Sequence, residues 1–141
     1  MLALPGRMQA WRTVQQQLRE TFMVRHEDGS STQLMVNPPG GERSWLTVQL
    51  HRESVRPWVR LLAPVCAEYL VDPRAALQAN ATLVVGSLAA QAGMCVLQQC
   101  LPLEGLDRQN LAVSIVSLVH EAGRLRRAMS RAGTELRARG A

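Results

Sequence analysis

The segment from Trp45 to His51 alternates between two faces, and this pattern constrains the fold more than any other feature of the sequence. Leu46, Val48 and Leu50 share one face, and the residues between them, which include threonine and glutamine, share the other. Only an extended strand places residues two apart on the same side. The chain is therefore predicted to contain a sheet with one face on an apolar core.

Other parts of the sequence show the same strand character. The first group follows a turn cluster around Gly29 and forms an antiparallel meander with the segment above. The second group is a hairpin, because Gly93 in the intervening turn can adopt a positive φ. The predicted segments are Thr32–Asn37, 57–66, Leu83–Ala90, Met94–Leu101 and, as a short extra strand, Phe22–Asp28.

Three segments have the features of helices. Met8–Phe22 carries apolar residues at steps of three and four. Pro73–Asn80 follows Asp72, whose side chain is expected to cap the helix, with proline at the first helical position. The last helix, 108–139, is expected to be capped by Asp107. The resulting order is α-β-β-β-α-β-β-α, an α+β fold with an antiparallel sheet flanked by helices.

The last helix carries a heptad-like seam that includes Leu118, Leu125 and Met129. A straight helix over 108–139 measures about 48 Å. A domain of this size has a diameter of only about 26 Å, taken from its expected radius of gyration. The end of the helix is therefore expected to project, to break or to pack on another chain, and the seam is a candidate contact for a dimer or a partner helix.

The net charge of +5 is concentrated near the C-terminus. All sixteen basic residues are arginines, and part of this excess is attributable to a GC-rich coding bias. Two interpretations stay open for the arginine-rich end, 124–141: contacts with an anionic partner such as a nucleic-acid backbone, or the solvated side of an amphipathic helix. No aromatic residue accompanies the charge after residue 105, which disfavours base stacking. The candidate contacts are Arg124, Arg126, Arg127 and Arg131.

The sequence offers no recognisable catalytic or metal-binding constellation. His26, His51 and His120 stand alone, and no pair of carboxylates suggests acid–base catalysis. Cys95 and Cys100 are five residues apart on a predicted strand, so their thiols face opposite ways, and both are expected to act as small buried hydrophobes. We therefore predict a non-enzyme without cofactor or metal.

The length of 141 residues fits a single domain, with a structured core over about 8–130. No apolar run reaches the roughly 18 residues of a membrane span, and the N-terminus lacks the pattern of a signal peptide. The odd number of cysteines fits a reducing compartment. A cytoplasmic location without membrane attachment is the expectation.

The order of elements and several short motifs resemble the YbjN family and the related class I type III secretion chaperones. The motifs are Leu77-x-x-Asn80, the hairpin, Leu101-Pro102-Leu103-x-x-Leu106-Asp107 and the amphipathic last helix. The resemblance implies homodimerisation and non-catalytic binding of extended segments of protein partners. The basic charge departs from the usually acidic family chaperones and makes an acidic or nucleic-acid-associated partner more plausible.

The leading hypothesis is therefore a cytoplasmic, dimeric, chaperone-like or adaptor protein. Trp11, Val14 and Leu18 on the first helix are the predicted contacts with a protein partner, and packing in the core is the alternative role for these three residues. Nucleic-acid binding through the C-terminal arginines is the second hypothesis.

Overall fold

Turn residues and alternating apolar residues divide the chain into the elements that the sequence predicted, with one addition. The computed structural model describes residues 4–52 and 55–140, and it describes side chains for 6–52 and 55–129. The elements are α1 (Leu4–Thr21), β1 (Met23–Glu27), β2 (Ser31–Val36), β3 (Ser44–His51), β4 (Trp58–Ala67), a 3-10 turn (Glu68–Leu70), α2 (Pro73–Asn80), β5 (Ser87–Gln91), β6 (Met94–Pro102) and α3 (Arg108–Gly140).

Within the described residues, six strands form one antiparallel sheet in the order β1-β2-β3-β4-β6-β5. The predicted α+β fold with an antiparallel sheet flanked by helices is confirmed. The short extra strand also forms, as β1, and it lies at one edge of the sheet. β4 and β6 are neighbours in the sheet, although α2 and β5 lie between them in the chain. Because β5 pairs with the far side of β6, it occupies the other edge.

The first strand of the second hairpin begins later than predicted, at Ser87 rather than at Leu83. Gly86 precedes it with a φ of 72°. A Cβ atom at this position would lie 2.8 Å from Leu118 Cδ1 and 2.9 Å from the carbonyl oxygen of Gln98. The backbone thus turns sharply against α3 before the strand starts, and only glycine fits there.

The inward faces of the strands meet α1 and α3 in one apolar core. Leu46 and Val48 on β3 are fully buried, as the alternation predicted, and so are Val59 and Leu61 on β4. Trp11 supplies the largest buried side chain of α1. Burial of aliphatic and aromatic side chains on this scale is the main stabilising contribution to a domain of this length.

Hydrogen bonds attach α1 to the turn between β1 and β2. The indole nitrogen of Trp11 donates to the carbonyl of Gly29 at 3.0 Å, and the side-chain amide of Gln15 donates to the carbonyl of Asp28 at 2.8 Å. The Asp28 carboxylate accepts from the backbone amides of Ser30 and Ser31, each at 2.8 Å. The buried side chains of Trp11 and Gln15 therefore find hydrogen-bond partners within this turn.

The two predicted helix caps have different outcomes. The Asp107 carboxylate accepts a hydrogen bond from the backbone amide of Asn110 at 2.7 Å, so the cap of α3 is confirmed. The predicted cap of α2 is wrong, because the Asp72 side chain makes no capping hydrogen bond within the described residues. Only its backbone carbonyl takes part, accepting from the amide of Ala76 at 3.0 Å.

Candidate protein-binding surface

Exposed apolar side chains surround α2. Leu77 on the helix is 71% exposed, Tyr69 in the preceding turn 86%, and Val84 in the following loop 97%, and Leu70 is also exposed. Single exposed apolar residues are normal, whereas several in one stretch of chain mark an interaction site. We call these four side chains, together with the cavity beside α2, the α2 surface.

The exposure of α2 follows from its position at the edge of the sheet. Over Pro73–Asn80, all of which the structure describes, no side chain is buried. The helix packs against β5, the edge strand, rather than across the centre of the sheet. Only one flank of α2 therefore finds protein to pack against, and Leu77 is left facing water.

A cavity of about 300 Å³ separates α2 from the β5–β6 hairpin. Its walls are mostly aliphatic, and they include both buried residues of the core and exposed residues of the α2 surface. The lining residues include Val71, Ala76, Leu77, Leu88, Ala90 and Cys95. An apolar cavity beside exposed apolar side chains can accept a large apolar side chain of another polypeptide.

Asn80 fixes the end of α2 to the edge of the sheet. Its side-chain oxygen accepts from the backbone amide of Leu88 at 2.6 Å, and its side-chain nitrogen donates to the carbonyl of Leu88 at 3.1 Å. The Asn80 amide thus takes the place of a neighbouring strand at this residue. An unpaired edge invites pairing with another chain, and here part of the β5 edge is already satisfied.

The charged groups at the α2 surface have both signs. Glu68, Asp72 and Arg74 are all exposed within the turn and the first turn of α2. A surface with both signs can face a second copy of itself across a two-fold axis, because each charge then meets the opposite one. The α2 surface is therefore not matched to a uniformly charged partner.

The residues predicted on α1 as partner contacts lie in the core. Trp11, Val14 and Leu18 are 0%, 3% and 1% exposed. No partner reaches these side chains while α1 lies on the sheet, so the burial corrects the predicted partner contact and agrees with the alternative role in core packing. The Trp11 indole is satisfied internally by Gly29, which adds to this interpretation.

The seam residues of α3 also pack within the chain. Leu118 and Leu125 are buried in the core, and the Met129 sulfur lies 3.7 Å from the Cys66 sulfur. For Leu118 and Leu125 the burial corrects the predicted contact with a second helix. The sheet covers the part of the seam that the structure describes.

The arginines of α3 have different surroundings. The Arg126 guanidinium donates to the carbonyls of Val65 at 3.0 Å and Pro64 at 2.6 Å, and it pairs with the Glu42 carboxylate at 3.1 Å. Arg124 pairs with Glu121 on the same helix, and Arg127 is exposed. The side chain of Arg131 lies outside those that the structure describes. Arg126 therefore stabilises the contact of α3 with β4, a role that the sequence did not indicate.

The cysteines correct another expectation. Cys95 is buried and Cys66 is half-buried, but Cys100 is exposed, so its predicted burial is wrong. Cys66 and Cys95 are paired residues of neighbouring strands, which spacing along the sequence did not reveal. Burial raises the pKa of both thiols.

The geometry brings no catalytic or metal-binding group together among the described residues. In that part of the chain, no group of three or more histidine, cysteine or acidic side chains is arranged to hold a metal ion. None of the described helices has the length and apolarity needed to cross a membrane. The feature that stands out is the α2 surface, where exposed apolar side chains lie beside an apolar cavity.

Sequence reasoning named Leu77 and Asn80 as a motif but missed their roles. The signal was the shortness of α2, since a helix of eight residues at a sheet edge cannot bury a full apolar stripe. The apolar Tyr69 and Leu70 just before it were a second signal. Both are weak without knowledge of which strand lies beside the helix.

The six-stranded antiparallel sheet and its flanking helices form the α+β fold of the type III secretion chaperones, as the sequence predicted. A chain of the solved HopA1–SchA chaperone–effector complex has this fold, with a TM-score of 0.64 and 16% identity, over 89% of this chain and 99% of that chain. No family model matches the chain, and no curated protein matches it. The likeness therefore concerns the fold, and membership of the YbjN family stays a prediction.

Proposed function

We propose that this chain is a non-catalytic, chaperone-like protein that binds a protein partner and acts as a homodimer through the α2 surface. The observation that carries the proposal is the exposure of Tyr69, Leu77 and Val84 beside an apolar cavity. The similarity in fold to a chain of a chaperone–effector complex supports the protein-binding role. A cytoplasmic location and a relation to the YbjN family belong to the same proposal.

A second copy of the chain is the occupant that suits the α2 surface. Two copies related by a two-fold axis bring Leu77 of each toward the cavity of the other, where Ala76 and Leu88 supply apolar walls. Arg74 of one copy then lies near Glu68 and Asp72 of the other. Covering these side chains removes the largest group of exposed apolar residues in the described chain from water.

The opposite edge of the sheet is the proposed site for the partner. β1 pairs with β2 on one side only, and Met23 at its start is 68% exposed. An extended segment can add to such an edge through backbone hydrogen bonds. The β5 edge is less suited to this role, because Asn80 already occupies the backbone groups of Leu88.

Among the arginines of α3 whose side chains the structure describes, two are already paired with carboxylates. Arg124 and Arg126 are paired with Glu121 and Glu42, which neutralise part of their charge. Binding of this kind depends on basic side chains that are free to replace counterions on the phosphates. This second hypothesis stays a prediction.

The mass in solution tests the homodimer. The wild-type chain is expected to scatter light with twice its 15.5 kDa mass at micromolar concentration. Leu77→Arg places a charge in the apolar contact and is expected to give the single-chain mass with an unchanged circular dichroism spectrum.

Val113→Arg is the matched control, because Val113 is exposed on α3, away from the α2 surface. This variant is expected to keep the mass of the wild type. A wild-type mass of one chain, or a Leu77→Arg mass equal to that of the wild type, would contradict the homodimer.

A further inference from the structure

Cys66 on β4 and Cys95 on β6 face each other directly across neighbouring antiparallel strands. Residues paired in this way have Cα atoms about 4.5–5.5 Å apart, and their side chains point to the same face of the sheet. The Cα separation in disulfides is usually about 4.4–6.8 Å. The strand register therefore already holds the two cysteines at a distance that a disulfide requires.

An irregularity in the strand is what creates this pair. The register between β4 and β6 shifts between Pro64 and Cys66, so that Cys66, rather than Val65, pairs with Cys95. Without the shift, Val65 would pair with Cys95, and Cys66 would point to the opposite face of the sheet. The two thiols would then lie on different sides of the sheet. The cysteines are 29 positions apart in the chain, and spacing alone gives no sign that they meet.

The surroundings distinguish the two thiols. Cys66 is half-buried, its sulfur lies 3.7 Å from that of Met129, and the positive charge of Arg126 acts on it. Cys95 is 5% exposed and lines the cavity beside α2. Burial raises the pKa of both thiols, but the neighbouring Cys95 thiol and the Arg126 guanidinium oppose this effect only at Cys66. Cys66 is therefore the more readily deprotonated and the more exposed thiol of the pair, and Cys95 is placed to resolve its oxidised form.

We propose that Cys66 and Cys95 are a reversible redox site, which closes to an intramolecular disulfide when the protein meets a peroxide. This inference is independent of the proposed function. The Cys66 thiolate attacks one oxygen of hydrogen peroxide, the O–O bond breaks, and a sulfenic acid and a hydroxide form. The hydroxide takes up the proton that Cys66 released and becomes water.

In the second step, the sulfur of Cys95 attacks the sulfur of Cys66. The S–O bond breaks, the S–S bond forms, and the hydroxyl leaves as water with the proton of the Cys95 thiol. The two thiols together lose two electrons, and one peroxide is reduced to two waters. An external dithiol restores both thiols by exchange.

The disulfide would close a loop that contains all of α2 and β5. Such a cross-link stabilises a protein chiefly by restricting its unfolded chain. Oxidation is therefore expected to raise the temperature of unfolding by several degrees. It would also remove the proton that the Cys66 thiol donates to the Met129 sulfur at the contact between β4 and α3.

The test uses the full chain, reduced and then treated with a small molar excess of hydrogen peroxide. Free thiols counted under denaturing conditions are expected to fall from three to one, and the intact mass to fall by about 2 Da for the two hydrogens lost. Peptide mapping is expected to link the peptide of Cys66 to that of Cys95. Dithiothreitol is expected to restore all three thiols.

Matched variants identify the pair. Cys100→Ser removes the exposed cysteine, and this variant is expected to lose both remaining thiols with the same change in mass. Cys66→Ser and Cys95→Ser are each expected to prevent the intramolecular bond. Because Cys66 is half-buried, its serine variant is expected to fold even if the Cys95 variant does not, and circular dichroism checks both.

Three outcomes would overturn the proposal. The first is a bond that includes Cys100, within one chain or between chains. The second is a gain of oxygen on Cys66 or Cys95 without a cross-link, which means that the thiols oxidise separately. The third is the survival of all three thiols under conditions that oxidise a free model dithiol.

Discussion

The helices α1 and α2 are both amphipathic in sequence, but their apolar residues have opposite fates. On α1, Trp11 and Leu18 are completely buried against the sheet. On α2, Leu77 is exposed and no side chain of Pro73–Asn80 is buried. An amphipathic pattern thus indicates that a face needs to be covered, but it does not indicate whether the same chain covers it.

The neighbours of each helix explain the difference. The 18 residues of α1 pack against both β1 and α3, and Trp11 and Gln15 attach the helix to the turn between β1 and β2. The eight residues of α2 lie beside the edge strand β5, where Asn80 holds them. A helix that packs between a strand and a second helix is covered by its own chain, whereas α2, which packs on β5, leaves part of its surface exposed.

The largest expected effect contrasts Trp11 with Leu77. Trp11→Ala is expected to reduce the free energy of unfolding by about 3–5 kcal/mol, because it leaves a cavity and removes the hydrogen bond to Gly29. Leu77→Ala is expected to change it by less than about 0.5 kcal/mol. Chemical denaturation at a concentration where single chains predominate measures both, and losses of equal size would break the comparison.

The inward face of the sheet was well predicted from the sequence, for a physical reason. Alternation at Leu46 and Val48 reports directly which side chains face the core, and the structure buries both. The cap at Asp107 was also predictable, because it depends only on residues within one turn of α3. Local chemistry of this kind does not depend on the rest of the fold.

The candidate site was not predictable in the same way. The exposure of Leu77 depends on β5 being the edge strand, and the pairing of Cys66 with Cys95 depends on a register shift in β4. Both are properties of strand order and register, which involve residues far apart in the sequence. The sequence therefore identified residues that need burial but assigned the partner contact to α1, where the chain buries them itself.

An intermediate effect is expected at Asn80, which sharpens the account of α2. Asn80→Ala leaves the amide and the carbonyl of Leu88 without their partner, at a cost of about 1 kcal/mol in the free energy of unfolding. The Leu88 amide is also expected to exchange faster with deuterium. Gln78→Ala, an exposed position on the same helix, is the control and is expected to change neither quantity.

The smallest effect concerns pH and the turn that holds α1. Hydrogen bonds from the Ser30 and Ser31 amides lower the pKa of Asp28 from its usual 3.8. A lowered pKa in the folded state means that the carboxylate stabilises the fold above its ordinary pKa, and that this stabilisation is lost as the pH falls through the folded value. The wild type is thus expected to be more stable than Asp28→Ala. The difference in their free energies of unfolding is expected to be larger at pH 7 than at pH 3.

Asp72→Ala is the matched control for this prediction. Asp72 precedes α2, and its side chain makes no capping hydrogen bond among the described residues. The difference between this variant and the wild type is expected to change less with pH than the difference at Asp28→Ala, because only Asp28 accepts these backbone hydrogen bonds. If the difference in stability between the wild type and Asp28→Ala were the same at pH 7 and pH 3, the hydrogen bonds of the Asp28 carboxylate would not stabilise the turn that holds α1.

Amide hydrogen exchange at two protein concentrations tests the central claim, that a second copy of the chain covers α2. Protection of the amides in Pro73–Asn80 is expected to be high at a concentration where dimers predominate and to fall on dilution. Protection in α1 around Trp11 is expected to be the same at both concentrations, since its cover comes from its own chain. Protection of α2 that is equally low at both concentrations, or a change confined to α1, would contradict the account.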